Sequence, residues 1–311
     1  MVDLTVITPT YNEEDSILEC IKRLRIVMES HCPEVTYEHI VIDNASSDET
    51  VIRVRGEAET DHRVKLIVNS RNIGASRSIY RALSRTQGDW VVPMLPADLQ
   101  DPVEIIPEML SKAVDGVEVV YGVRKNRQEG FLIRSLRKIY YRILRKFSPF
   151  DLQNDAGEFV LISSRVNDSV VNIRDENPYV RGLIAQAGAK SASVPYTWQQ
   201  RNAGKSKSSA LVLADVAISG MVSTTYIPAR IALLAGFITS LGGFIAGIGY
   251  LILSIFSSGE VSAGIPTLII SVFFLGGTQL FFLGLIGEYV LNIHRQVKPE
   301  SRVTSSIELN F

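Results

Sequence analysis

The sequence predicts an α/β domain built on a mainly parallel sheet and followed by two transmembrane helices. Three observations predict it. Short apolar runs alternate with amphipathic stretches through the first hundred residues, polar clusters close the apolar runs, and two long charge-free stretches occupy the last third. Strand and helix alternating at this spacing means βαβ units and parallel pairing.

The elements follow in order. Residues 4–8 are an apolar run of strand length, and Ile17, Ile21, Leu24 and Met28 then fall at helical spacing from Glu13 onward. Residues 37–42 read as the second strand, ended by Asp43, with a helix from Asp48. Residues 64–68 read as the third strand, a helix carries Ile79 and Leu83, and residues 90–95 read as the fourth strand. In such sheets, ligands bind beyond the carboxyl ends of the strands. The clusters around Tyr11, Asp43, Asn69 to Asn72 and Asp98 stand at those ends.

Composition narrows the function. With 32 Lys+Arg against 33 Asp+Glu in 311 residues, the net charge of −1 gives no pull toward nucleic acid. Cys20 and Cys32 have no metal-type spacing and read as structural thiols in a reducing compartment. The four histidines are scattered. The N-terminus opens a strand almost at once, so no signal peptide is expected.

Beyond Tyr121 the character changes. Residues 131–147 interleave apolar side chains with Arg134, Arg137, Lys138, Arg142, Arg145 and Lys146, a basic amphipathic helix. Such a helix suits an anionic bilayer surface, and it could equally pack on the sheet with its charged face in water. Residues 231–259 and 261–287 carry no charge, and a bilayer core needs about 20 apolar residues per helix. With Glu260 alone between them, they read as a transmembrane hairpin, which favours the interfacial role for 131–147. Arg230 at one flank and Arg295 and Lys298 at the other place both ends, and the α/β domain, on the cytosolic face of a multi-pass membrane protein. The Gly243/Gly247 step would allow a homo-oligomer through the membrane helices. The expected organisation is a cytosolic domain over 1–210, a juxtamembrane amphipathic segment over 211–228, the hairpin over 229–298 and a polar, loosely ordered tail over 299–311.

Chemistry centres on Asp98. A hard cation such as Mg²⁺ or Mn²⁺ takes one or two carboxylates and completes its shell with water and phosphate. Asp98 and Gln100, two residues apart on a turn, can turn both oxygens to one ion. A helix cap before Pro102 explains Asp98 as well, although Asp101 is the better cap.

Taken together, residues 9–14, 42–50, 70–74, 88–90 and 97–102 form an ordered set at strand ends. The set resembles glycosyltransferase family 2, inverting enzymes of the GT-A fold, and within it the polyprenyl-phosphate glycosyltransferases. The resemblance covers nearly the whole chain. It implies transfer from a UDP- or GDP-sugar to polyprenyl phosphate with Mg²⁺ or Mn²⁺. It further implies that Pro9, Tyr11 and Glu13 line the base and ribose pocket, that Asp43 bonds the base, and that Asp98 and Gln100 hold the metal. Arg124 and Arg134 would receive the lipid phosphate, and Asp155 would lie near the reacting centre, positioning first and base second. Arg201 and Lys207, in a mobile acceptor loop over 200–207, would face phosphates. An ordinary basic linker is the other reading of that loop.

Two departures stand out. Pro96 occupies the first place of a DxD-like pair, and Asn44, Ala45 and Ser206 to Ser208 replace a second Asp, a Gly and an aromatic. A second reading is a family member with a polysaccharide or glycerolipid acceptor, although residues 199–201 lack the Trp of a QxxRW-type motif. A third is a catalytically degenerate subunit that binds nucleotide sugar.

Overall fold

The computed structural model describes residues 2–125, 156–173, 178–197, 264–297 and 304–311, with scattered positions between 234 and 249. Two compact units result, Met1–Ser209 with Pro299–Phe311, and Ala210–Lys298.

The first unit is an eight-stranded mixed sheet. Strands β1 (Val2–Thr10), β2 (Tyr37–Asp43), β3 (Val64–Asn69) and β4 (Gly88–Val92) are all parallel, in spatial order β3-β2-β1-β4. Helices α1 (Ile17–His31), α2 (Thr50–Thr60) and α3 (Ala75–Leu83) connect them, as the alternation predicts. The first two links return to a parallel neighbour, which needs such a crossover, and α3 carries the chain back across β2 and β1 to β4, beside β1. Beyond β4 the sheet reverses direction. β5 (Val119–Lys125) and β4 both lie antiparallel to β6 (Ala156–Ser163), and β7 (Ser191–Thr197) runs parallel to β5. A 3₁₀ turn Val103–Ile105, α4 (Ile106–Ser111), α5 (Ser164–Asn172) and α6 (Val180–Gln186) complete the unit.

β2 and β3 are buried along their whole length because helices cover both faces. Ile17, Cys20, Ile21, Leu24, Val27 and Met28 form the inward stripe of α1. Cys20 is fully buried, and burial pushes its thiol up to about 12, in keeping with a structural role. At the end of the sheet away from the candidate site, the buried Glu38 carboxylate meets Lys65 Nζ at 2.6 Å and accepts from the Thr5 hydroxyl at 2.6 Å.

His39 on β2 is buried and shares a 2.8 Å hydrogen bond with the Thr8 hydroxyl. Burial, with a smaller push from the Arg25 charge against an opposite pull from Asp61, lowers its imidazole to about 4. The unfolded chain takes up that proton near pH 6.5. The neutral ring therefore contributes fully above about pH 6.5, and its contribution, up to about 3 kcal/mol, is lost as pH falls toward 4. We expect the melting temperature of the wild-type chain to drop more steeply over this window than that of His39→Gln. Parallel curves for the two proteins would overturn the assignment.

The tail is a correction. Instead of lying loosely ordered, Ser305–Leu309 forms β8, antiparallel to β3 at the sheet edge. Ile307 and Leu309 pack against the buried cluster of Val64, Leu66 and Val68. An unpaired β3 would expose a row of backbone donors and acceptors, which β8 covers.

In the second unit α7 spans Gly264–Val297, 34 residues. Leu268, Val272, Phe274, Leu280, Leu283 and Ile286 are each more than half exposed along it. Among the described residues, no helix is long and apolar enough to cross a membrane. The expected hairpin is therefore not established here.

Candidate active site

The carboxyl ends of β1 and β2 finish in register, Thr10 opposite Asp43. Asp43 is fully buried, and its carboxylate accepts from the Thr10 hydroxyl at 3.1 Å, the Ser46 amide at 2.8 Å and the Ser46 hydroxyl. The Ser46 hydroxyl also accepts from the Asn12 amide at 2.8 Å, and Asn12 Oδ1 accepts from the Ser47 amide at 2.9 Å. Loops 10–14 and 44–50 are thereby laced into one wall. Asn12 and Ala45 make its sharp turns, at φ 54° and 63°. Glycine suits the left-handed region; alanine costs about 1 kcal/mol there. That is the physical meaning of Ala45 standing where a glycine is expected. Pro9 is half-buried, Tyr11 is exposed at the rim, and the Glu13 amide donates to the Thr50 hydroxyl at 2.9 Å. Neither Ser46 nor Ser47 caps α2, whose preceding residue is Glu49.

Asn44 explains the second departure. Its Oδ1 accepts from the Ile73 amide at 2.9 Å and from Asn69 Nδ2 at 3.3 Å, while its Nδ2 donates to Asn72 Oδ1 at 2.9 Å. An ionised aspartate accepts but cannot donate, so only the amide makes all three bonds. Asn44 thus ties the end of β2 to the turn after β3.

Asp98 follows β4 on a turn in which Leu99 takes φ 55°. Its Oδ1 accepts from the Gln100 amide at 3.2 Å, and Asp98 and Gln100 are both partly exposed. Among the described residues, no three carboxylate, His or Cys side chains gather as a metal cage. A single carboxylate with a neighbouring amide oxygen is a hard, incomplete donor set. It fits Mg²⁺ or Mn²⁺ that draws its other ligands from water and a diphosphate.

Asp101 is a correction. The turn Val103–Ile105 is preceded by Pro102 and has no side-chain cap; Asp101 instead accepts from Arg124 through both oxygens, at 3.1 and 2.9 Å. The Tyr196 hydroxyl donates to the same carboxylate and accepts from Arg124 Nε at 3.0 Å. Burial and the Asp101 charge push the Tyr196 phenol well above its ordinary value. Arg124 thus stands in a bidentate pair at the base of the site.

Beside this triad a cleft is lined by Ser76, Met94, Tyr121, Glu158 and Arg181. Glu158 keeps part of its surface open to solvent, as a side chain on a cleft floor does. The surrounding protein raises its carboxyl above the usual range, against the pull of Arg181 and Arg124. Sequence reasoning missed Glu158, Arg181 and Tyr196, because β6, α6 and β7 reach the site only through the sheet order.

The structure therefore gathers Pro9, Tyr11, Glu13 and Asp43 on one strand-end wall, and Asp98, Gln100 and Arg124 at neighbouring strand ends. Arg134, Asp155, Arg201 and Lys207, with the 131–147 and 211–228 segments, lie outside the described residues.

Comparison with known proteins bears on this geometry. The model of glycosyl transferase family 2 matches residues 5–170. An uncharacterized glycosyltransferase of Bacillus subtilis, YkcC, is 33% identical over 298 residues, 96% of this chain and 91% of that protein. The bactoprenol glucosyl transferase of Shigella phage SfX is 29% identical over 96% of this chain and 97% of its own length. The SfII prophage-derived bactoprenol glucosyl transferase of Shigella flexneri is 30% identical over 95% and 94%. Among solved structures, glucosyl-3-phosphoglycerate synthase from Mycobacterium tuberculosis, in complex with Mn²⁺, UDP and phosphoglyceric acid, aligns at 19% identity. Its TM-score is 0.47, over 66% of this chain and 72% of that one.

Proposed function

The chain belongs to glycosyl transferase family 2, and from that premise we propose that it moves a hexose from a UDP- or GDP-sugar to polyprenyl phosphate at the cytosolic face of a membrane, with inversion. The observation that carries the acceptor is the end-to-end likeness to bactoprenol glucosyl transferases, over 95% or more of this chain, the apolar segments included.

A phosphate oxygen of the acceptor forms the new bond to the anomeric carbon as the bond to the nucleoside diphosphate breaks. The electron pair leaves on the diphosphate. A phosphate monoester has its second pKa near 6, so the nucleophile is already largely ionised near neutrality. A strong base is unnecessary, and Asp155 orients the acceptor in this reading, with base work secondary.

Pro9, Tyr11, Glu13 and Asp43 form the nucleoside wall. Asp43, tied to Thr10 and Ser46, acts on the base through the shape of that wall as well as directly. Asp98 and Gln100 would hold Mg²⁺ or Mn²⁺, which supplies charge neutralisation at the diphosphate. Arg201 and Lys207 face the same phosphates, and Arg124 and Arg134 receive the lipid phosphate.

The membrane hairpin and multi-pass placement belong to the proposal. What supports them is residues 261–287 without a charge and the outward apolar side chains of α7. A charge at the bilayer centre costs about 3 kcal/mol per residue, and this run carries none.

The test is direct. Purified protein with Mn²⁺ or Mg²⁺, polyprenyl phosphate and a panel of UDP- and GDP-sugars is expected to yield one glycolipid, identified by mass. Nucleotide binding by calorimetry without product from any donor would instead favour the degenerate reading that Pro96 motivates. Product only with a polysaccharide or glycerolipid acceptor would overturn the lipid-phosphate assignment.

A further inference from the structure

The edge strand β8 does more than cover β3. Arg81, on α3, donates through Nη1 to Asn69 Oδ1 at 2.7 Å and through Nη2 to the Ser305 hydroxyl at 2.9 Å. Its Nη2 also lies 3.8 Å from Glu308, which holds Arg85 at 3.1 Å. One guanidinium therefore joins the last strand of the chain to the final residue of β3.

The chemistry of that junction has a direction. An arginine only donates, so Asn69 must turn its carbonyl oxygen to Arg81. Its amide nitrogen then points the other way and donates to Ser78 Oγ at 2.9 Å and Asn44 Oδ1 at 3.3 Å. Asn44, so oriented, donates from Nδ2 to Asn72 Oδ1, which also accepts from the Gly74 amide at 3.0 Å. Asn69 thus takes its polarity from Arg81, and the Ile73 and Gly74 amides hold Asn44 and Asn72 in the matching sense, so that the three amides join in series. Without Arg81, the Asn69 amide can rotate by half a turn and present its oxygen to Asn44 Oδ1, acceptor to acceptor. The tail adds a second hold at the same place, since the Ser70 amide donates to the Thr304 carbonyl at 3.1 Å. The far end of the relay is the turn 72–74 and the end of β2, where Asp43 and Asn44 stand.

We infer that Arg81 and the strand Ser305–Leu309 are positioning elements for the donor nucleotide, fixing the amide polarity of Asn69 and through it the bond that holds Asn44 in the wall of its pocket. The inference rests on the proposed nucleotide site. It assigns no contact with substrate to Arg81.

The experiment uses the full chain in detergent or lipid nanodiscs, with UDP and GDP plus Mn²⁺ as calorimetric probes. Arg81→Lys keeps the charge but cannot span two acceptors with a planar fork. It is expected to weaken nucleotide binding by roughly three- to thirty-fold. With donor and acceptor assayed separately, the donor KM should rise while the acceptor KM holds. Asn310→Ala is the control. Its Nδ2 donates to the Ala58 and Val64 carbonyls at the opposite end of β3, so it loosens the strand without touching the relay. It should lower the melting temperature and leave nucleotide affinity in place. Deleting residues 304–311 should weaken binding as Arg81→Lys does, and a synthetic 304–311 peptide added in trans should restore it. Equal affinity in wild type and Arg81→Lys, or an equal loss in Asn310→Ala, would overturn the inference. Failure of the wild type to bind either nucleotide would strike the proposed site itself, a different outcome.

Discussion

Asp98→Ala is expected to reduce sugar transfer by about 10³-fold or more and to abolish the metal-dependent part of nucleotide binding. The residue stands on a turn after β4, outside the apolar clusters, and its carboxylate accepts from the Gln100 amide at 3.2 Å. Losing that bond costs about 1 kcal/mol, and the partly exposed side chain fills no apolar cluster. The loss of activity should therefore appear with a nearly unchanged melting temperature. Asp98→Asn sharpens the point. It keeps the shape and an acceptor for Gln100 but loses the negative charge, so it should resemble Asp98→Ala in Mn²⁺-dependent calorimetry while melting like the wild type. Pro96 in place of a second acidic residue concentrates the charge requirement on Asp98. Full activity in Asp98→Ala would sink the metal assignment.

The second large effect is on stability. Asp101 is almost wholly shielded and Arg124 keeps about a fifth of its side-chain surface, at 4% and 22%. Asp101→Ala leaves the guanidinium without its carboxylate, and breaking a buried pair from one side costs about 3–5 kcal/mol. We expect the melting temperature to fall by about 10 °C. Replacing both residues by Ala together should cost less than the sum of the single changes, because neither then leaves an unpaired charge. The same series separates two roles for Arg124. If it only anchors Asp101, Arg124→Lys at a permissive temperature should leave the acceptor KM in place. If it also receives the lipid phosphate, the acceptor KM should rise several-fold while the donor KM holds.

Much of the parallel half of the sheet was legible because its information is local. Apolar runs of strand length and the stripe of Ile17, Ile21, Leu24 and Met28 gave β1 to β4 and α1 within a few residues. The misses have a common cause. Asp101 looked like a cap because its real partners lie 23 and 95 residues further on. Glu158 and Arg181 reach the cleft only through an antiparallel reversal that no short pattern announces. Ser305–Leu309 looked like tail because only Ile307 and Leu309 of its five residues face the core, and its pairing partner β3 is over two hundred residues away. Asn44 was visible as a departure, but its dual donor and acceptor duty needed Asn69, Asn72 and Ile73 in place around it.

The position of β8 also sets an order of events during synthesis. Strands β1 to β4 are translated first, yet the antiparallel partner of β3 emerges only after residues 210–298 have been made. Until then the nascent domain carries an open sheet edge, the kind that invites pairing with another chain. Closure of the sheet is thus timed to follow synthesis of the whole apolar segment. A ribosome that stalls within that segment leaves behind a domain with nearly every strand in place and its last seam unsewn.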